Sequence, residues 1–271
     1  MPTERARRAV APELLARCHA NTLEDYRVFA RSTEGGGIEE SPGLLLVCTG
    51  GMDSLENLAI VTEPPPRPQD VLERAEAFFR KHRYPWAVLA FPDAVASIQP
   101  VLANASFLDE GEFPGMVMAP IPARVPAPPE DFRVVRAETL EDLARLERAA
   151  SQAYGVPYGD PDARWLRHPG VSLYVGYYRE EPVAHGALIV AHGVAGVAYI
   201  GTVPQHRRRG FAENLVWRIL HDGRARGCDA GYLWATPLGR TVYAKMGFEE
   251  VVDYHIWSAP GSPLPKTIRR G

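Results

Sequence analysis

Lysine is almost missing from this 271-residue chain: only Lys81, Lys245 and Lys266 stand among its 30 basic residues, and the rest are arginine. That bias reads as genome composition rather than function. Cysteine is also scarce. Cys18, Cys48 and Cys228 are odd in number and far apart, which excludes a disulfide framework and a zinc-type ligand cluster. Reduced, buried thiols, a cytoplasmic location and no bound metal are the expectation. Long apolar runs are lacking too. Stretches such as 43–49 are far too short to cross a bilayer, and nothing like a signal-peptide core follows Met1-Pro2-Thr3-Glu4-Arg5. No membrane partner is expected. A net charge of −3 lacks the excess positive charge that general nucleic-acid binding needs, so no nucleic-acid partner is expected either.

What remains is an ordinary globular composition, 46% apolar and 23% charged, at a length that favours two domains. Residues 119–130 carry five prolines, which remove backbone donors and hold the chain extended. They mark a stiff linker. Before it, helices are expected over 12–32 (with Asn21-Thr22 a possible break), 69–82 and 93–105, and strands over 44–48, 58–62, 86–91 and 115–119. After it come a strand over 132–136 and a helix from Thr139 to Ala150 with a capping box at Thr139 and Asp142. An antiparallel meander (172–178, 182–190, 194–203) follows, then a helix over 211–226, a strand over 232–236, a short helix near 239–246 and a strand over 250–257.

The two halves repeat one another. Val61-Thr62 ends a strand before a helix as Thr202-Val203 does, 141 residues later. Ala87-Val88-Leu89-Ala90-Phe91-Pro92 parallels Tyr232-Leu233-Trp234-Ala235-Thr236-Pro237, and Ser106-Phe107 parallels Gly247-Phe248. Parallels in one order at nearly one offset indicate a duplicated domain. The copies differ after the first of these strands. The second half continues as Pro204-Gln205-His206-Arg207-Arg208-Arg209-Gly210-Phe211-Ala212, a basic, glycine-containing loop that opens a helix. Free N–H groups and the helix dipole make such a start an anion site, and Gly210 permits close backbone approach. The first half runs instead into Pro64-Pro65-Pro66-Arg67-Pro68, where four of five residues have no N–H to offer.

Arg207-Arg208-Arg209-Gly210-Phe211-Ala212 and, downstream, Tyr243-Ala244-Lys245-Met246-Gly247-Phe248 resemble the two signatures of the GCN5-related N-acetyltransferase (GNAT) family. The whole is similar to a tandem GNAT protein. The resemblance implies an α/β (α+β) chain of two GNAT-like domains, each a mixed, mostly antiparallel twisted sheet flanked by helices. Residues 1–120 would be a degenerate copy without a cofactor loop, 121–130 the linker, 131–259 the acetyl-CoA-binding domain and 260–271 a mobile tail. It implies acetyl-CoA as co-substrate. The N–H groups of Arg208 to Ala212 would hold its pyrophosphate, with the charge of Arg207, Arg208 and Arg209 added, and Gly201, Thr202 and Val203 would pair with its pantetheine arm. An N–H near Gly201 would face the thioester carbonyl. Tyr243 matches the family's general acid.

The implied activity is transfer of an acetyl group to an amine of a small molecule or peptide; the alternative is a non-catalytic acyl-CoA-binding regulatory module. The strand over 194–203 offers no carboxylate base. His185, Tyr199 or a water relay are the candidates, and Tyr154, Tyr158 and Asp160 fall in the loop that would line the acceptor pocket. Monomer and homodimer both remain open.

Overall fold

The computed structural model describes residues 9–157 and 162–264. Helix α1 (Pro12–Ser32) is unbroken at Asn21-Thr22. Both polar side chains are satisfied: Thr22 Oγ1 donates to the Cys18 carbonyl one turn back, and Asn21 Nδ2 donates to the carbonyls of Ile189, Ala191 and Val194 at 3.1–3.3 Å. Strands β1 (Gly37–Ser41), β2 (Leu44–Cys48) and β3 (Asn57–Val61) form an antiparallel meander. Then come α2 (Pro68–His82), β4 (Ala87–Ala90), α3 (Pro92–Asn104) and β5 (Leu108–Met118).

Sequence reading missed β1, because Gly37-Ile38-Glu39-Glu40-Ser41 has a single large apolar side chain. It saw only the end of β5, whose first half carries Asp109, Glu110, Gly111, Glu112 and Pro114. Both segments are strands through their hydrogen-bonded neighbours, not through local propensity.

Strand β6 (Phe132–Arg136) leads to α4 (Leu140–Tyr154), which starts on the expected capping box. Thr139 Oγ1 accepts the Asp142 N–H, and Asp142 Oδ2 accepts the Thr139 N–H, both at 3.1 Å. The helix ends where Gly155 turns left-handed at φ 74°. A four-residue helix, α5 (Arg164–Arg167), is followed by the meander β7 (Val171–Tyr178), β8 (Glu181–Ala191) and β9 (Val194–Thr202). Helix α6 (Phe211–Ala225), β10 (Ala230–Trp234), α7 (Pro237–Met246) and β11 (Glu249–Ser258) complete the chain. The order β2-β3-α2-β4-α3-β5 matches β8-β9-α6-β10-α7-β11, as the repeat predicts.

Two sheets were expected; the structure has one. Its eleven strands run β1-β2-β3-β4-β11-β5-β10-β9-β8-β7-β6. The pattern is symmetric about its middle. Parallel pairs β3/β4 and β9/β10 lie on either side, and between them the last strands of the two halves change places. Strand β11 pairs with β4, β5 pairs with β10, and β5 and β11 lie antiparallel at the centre. Each half therefore satisfies the edge of the other, because an uncovered row of N–H and C=O groups is costly once buried.

Helix α1 crosses the same boundary. Cys18 and Tyr26 share a buried cluster with Val194, Ala230, Tyr232 and Tyr254, and Arg17 donates to the carbonyls of His192 and Gly193 and pairs with Asp229. Residues 121–130 are the crossing segment rather than a break between bodies: Ile121 is buried and its N–H donates to the Asp229 carbonyl at 3.2 Å. At the end of the chain Leu264 is also buried, so the expected mobile tail is docked at least that far, and 265–271 lie outside the described residues. Among the described residues no helix is long and apolar enough to cross a membrane.

Candidate active site

Loop 203–210 between β9 and α6 is built around backbone geometry. A short 3₁₀ turn, Pro204–His206, is followed by Arg208 at φ 61° and Gly210 at φ 79°. Two left-handed residues so close together turn successive N–H groups to one side, the concave arrangement that receives anions. Among the described residues, the N–H groups of Arg208, Arg209, Gly210, Phe211, Ala212 and Glu213 have no acceptor, and the first helical hydrogen bond of the segment is Asn214 N–H to the Gly210 carbonyl at 2.9 Å. A Cβ on Gly210 would meet only Pro129 Cγ at 3.6 Å, so the space above it is open. Phe211 fixes the helix start by stacking on Phe132, with ring centroids 4.3 Å apart and planes within 3°.

The arginines divide their labour in a way the sequence did not show. Arg207 Nη2 donates to the Ala153 carbonyl at 2.9 Å and its Nε to the Thr202 carbonyl at 3.1 Å, which staples the end of α4 to the end of β9. The Arg209 guanidinium lies over the Tyr178 ring at 4.0 Å, away from the cleft. Arg208 is the one of the three whose exposed head adds charge to the cradle without a described partner.

Strands β9 and β10 are paired only from Val194 to Gly196, and beyond Gly196 they part. The register with β8 slips between His185 and Ala187, and Tyr199 there takes φ 55°, which is uncommon for a bulky residue. Of the three residues expected to pair with an added strand, Thr202 faces the gap, since its carbonyl is turned from β8 to Arg207. Val203 is turned the other way: it is buried and its N–H donates to the Val183 carbonyl at 2.9 Å. Gly201 stands opposite His185, whose Nε2 lies 2.1 Å from where a Cβ would be, so no larger residue fits.

These features open on a cleft of about 1910 Å³, lined by Gly201, Thr202, Arg207, Arg208, Gly210, Phe211, Ala212 and Tyr243 of the expected site residues; Val203 and Arg209 do not line it. Helix α7, capped by Thr236 and begun at Pro237, brings Tyr243 to the wall. The ring packs against Gly239, where a Cβ would lie 2.7 Å from Tyr243 Cε2, and edge-on to Phe248 at 5.9 Å. Its hydroxyl has no partner among the described residues, and burial pushes the phenol up to about 12. It therefore stays protonated throughout the physiological range.

Tyr154 and Tyr199, both expected near the acceptor, line the wall together with Glu147, to which the sequence reading did not point. His185 is fully buried, does not line the cleft, and is pushed down to about 3 mainly by burial, the Tyr199 backbone working weakly the other way; it is not a proton acceptor at neutral pH. Tyr199 does line the cleft and donates to Glu147 Oε2 at 3.4 Å. Burial pushes Glu147, on α4, up to about 7. Tyr154 donates to the Ile200 carbonyl at 3.1 Å. Burial above all pushes its phenol well above the ordinary range, and it lines the cleft together with Tyr243 of its own half and Asp53 and Glu56 of the first. Tyr158 and Asp160 lie outside the described residues.

The first half enters the cleft through α1 (Asp25, Tyr26, Phe29) and through loop 49–56 (Thr49, Gly50, Gly51, Met52, Asp53). Asn57 knots that loop, its Nδ2 donating to the carbonyls of Gly51, Asp53 and Pro85 and its Oδ1 accepting the Thr49 N–H. Sequence offered one signal for this, the acidic spacing of Asp53 and Glu56, which form a capping box on the turn Ser54–Glu56.

Residues 137–248, which hold the N–H cradle, the parted strands and Tyr243, match the model of the acetyltransferase (GNAT) family. The likeness to that family in sequence lies in this C-terminal half. The GNAT fold extends over the rest of the chain. A GCN5-related N-acetyltransferase from Kribbella flavida superimposes with a TM-score of 0.66 at 18% identity, covering 90% of this chain and 96% of that one. One from Sphaerobacter thermophilus gives 0.57 at 17%, covering 95% and 96%. A tandem GNAT protein from the clavulanic acid biosynthesis pathway gives 0.53 at 14%, covering 94% and 90%. At such identities these likenesses are of fold. No curated protein matches the chain in sequence.

Proposed function

We propose that this chain is a GNAT acetyltransferase, which transfers an acetyl group from acetyl-CoA to the amine of a small molecule. The observation that carries the reading is the run of unpartnered N–H groups from Arg208 to Ala212, on the same cleft as the Tyr243 hydroxyl. The residues fit the ligand. The run of donors and the helix dipole suit a pyrophosphate, Arg208 and Lys245 add positive charge at that end, and the gap between β9 and β10 offers Thr202 to an extended amide-bearing arm. Acetyl-CoA, when bound, supplies a thioester open to attack by an amine and a sulfur that departs as thiolate.

The chain's own groups do the rest. Tyr243 keeps its proton and donates a hydrogen bond toward a developing thiolate; at about 12 it stabilises the sulfur rather than giving the proton up early, since a free thiol sits near about 8.5. Glu147, near 7 and linked to Tyr199, is the carboxyl suited to take a proton from an ammonium at neutral pH. It replaces His185 as base. A thiol-release assay over a panel of amines, paired with calorimetric titration of acetyl-CoA, tests the reading. Saturable binding with amine-dependent thiol release is expected. Absence of binding overturns the cradle, and binding without release from any amine returns the chain to a binding module.

A further inference from the structure

The charge of the cleft is divided. The lining around the cradle carries Arg207, Arg208 and Lys245 against one acid, Glu213, while α1, loop 49–56 and α4 contribute Asp25, Asp53, Glu56 and Glu147; Arg164, which also lines the cleft, is paired with Asp162. Acids gathered at a surface usually mean little, because water solvates them. These are different. Asp53 is 5% exposed and lines the cleft; its carboxylate accepts the Leu55 N–H at 2.9 Å and the Glu56 N–H of the capping box, with no cation beside it. Asp25 Oδ1 is sealed from water and has no hydrogen-bond partner among the described residues. Burial pushes Asp25 up to about 7 and Asp53 up to about 6, with no cation of the chain acting on either. A desolvated carboxylate without a counter-ion is costly, so a fold that keeps two of them on one cavity wall has left the counter-ion to something that enters the cavity.

The surrounding wall suits an organic cation. Phe29 meets Trp165 edge-on with centroids 4.4 Å apart, and Tyr199 stands 6.2 Å from Phe29, so aromatic faces line the space beside the carboxylates. Tyr154, Tyr243, Asp53 and Glu56 all line this same cavity, so the acids of the first half share it with the Tyr243 hydroxyl. One cationic centre would lie beside Glu147 and the other beside Asp25 and Asp53.

Resting on the acetyl-transfer reading, we infer that the acceptor is a small primary amine bearing a second cationic centre, ammonium or guanidinium, and that the first half of the chain reads that second charge through Asp53 and Asp25. The half without a cradle thus supplies specificity to the half that has one.

The test compares three probe series of graded length: α,ω-diamines, amino alcohols with a neutral hydroxyl in place of the second amine, and ω-amino acids. Binding to the full chain without any CoA ester is read by calorimetry, and kcat/KM is read with acetyl-CoA. Diamines are expected to bind about tenfold or more tighter than amino alcohols, with amino acids weakest. In Asp53→Asn, which keeps the carbonyl oxygen that caps Leu55, and in Asp25→Asn, the preference is expected to fall to about twofold, the scale of an exposed ion pair. Equal binding of diamine and amino alcohol, or a preference kept in both variants, overturns the inference. Thiol release that is indifferent to the second charge leaves acetyl transfer standing and removes this proposal. Selective diamine binding with no thiol release does the reverse.

Discussion

At equivalent places the two halves carry different chemistry on one scaffold. After β9 the chain turns through Arg208 and Gly210 and leaves six N–H groups without an acceptor among the described residues; after β3 it turns through Pro64-Pro65-Pro66-Arg67-Pro68 and has almost none to give. On α7 the cleft-facing residue is Tyr243, and its counterpart on α3 is Leu102, fully buried in the core of the first half. The flanking turn is conserved in form, with Gly247 at φ 100° and Ser106 at φ 60°. Between β8 and β9 lies a tight turn at His192-Gly193, whereas β2 and β3 are joined by loop 49–56, which reaches across into the other half's cleft. One copy kept the cradle and the phenol. The other gave them up, lengthened a loop and lent a helix. The comparison shows how a duplicated domain can become half of a single site instead of a second one.

The comparison breaks most severely if the halves are separated. Residues 131–264 expressed alone leave β10 without β5 and β11 without β4, so loss of cooperative folding is expected by circular dichroism and NMR, restored on co-expression with residues 1–130. Next, Tyr243→Phe moves the second half toward the Leu102 of the first. Turnover in the thiol-release assay is expected to fall roughly 10²-fold or more, with acetyl-CoA affinity held within about twofold. Gly210→Pro imports the first half's chemistry into the cradle, because proline removes an N–H and cannot take φ 79°. Acetyl-CoA affinity is expected to drop about a hundredfold, or about 2.8 kcal/mol by calorimetry.

Asn57→Ala acts on the loop that distinguishes the first half. It orphans the Thr49 N–H and three carbonyls, and a loss of about 1–3 kcal/mol is expected in chemical denaturation. The smallest effect is on pH. Asp25 and Glu147 titrate near 7 in the native chain, above their unfolded values, so the native state holds protons that the unfolded state has lost between about pH 4 and 7. Stability therefore declines as pH rises through that window. Asp25→Asn should flatten the decline and raise the thermal midpoint at pH 8 by roughly a few degrees.

Much of the site was legible in the sequence where its parts are neighbours in the chain. The cradle needs a strand, two left-handed residues and a helix start within a dozen positions, and Tyr243 needs only its own helix and the turn at Gly247. The capping box at Thr139 and the proline block at 64–68 were legible for the same reason. The Arg209 side chain and the Val203 N–H turn away from the cleft because facing is decided by the aromatic stack on Tyr178 and across the ladder, not along the strand. Glu147, Asp25 and Asp53 were invisible as a group because they lie on three elements far apart in the chain, and each alone looks like a solvated acid.

What the sequence by itself determined is local: which segments are helix or strand, that the chain is a duplication, and that only the second copy can present backbone donors to an anion. These follow from near-neighbour sterics and from which residues own an N–H. Only the tertiary structure decided that β5 and β11 change places, that α1 rests on the other half, and that one cleft has walls from both. Those outcomes depend on satisfying strand edges and desolvating side chains against partners more than a hundred residues away, and no window of sequence contains both partners.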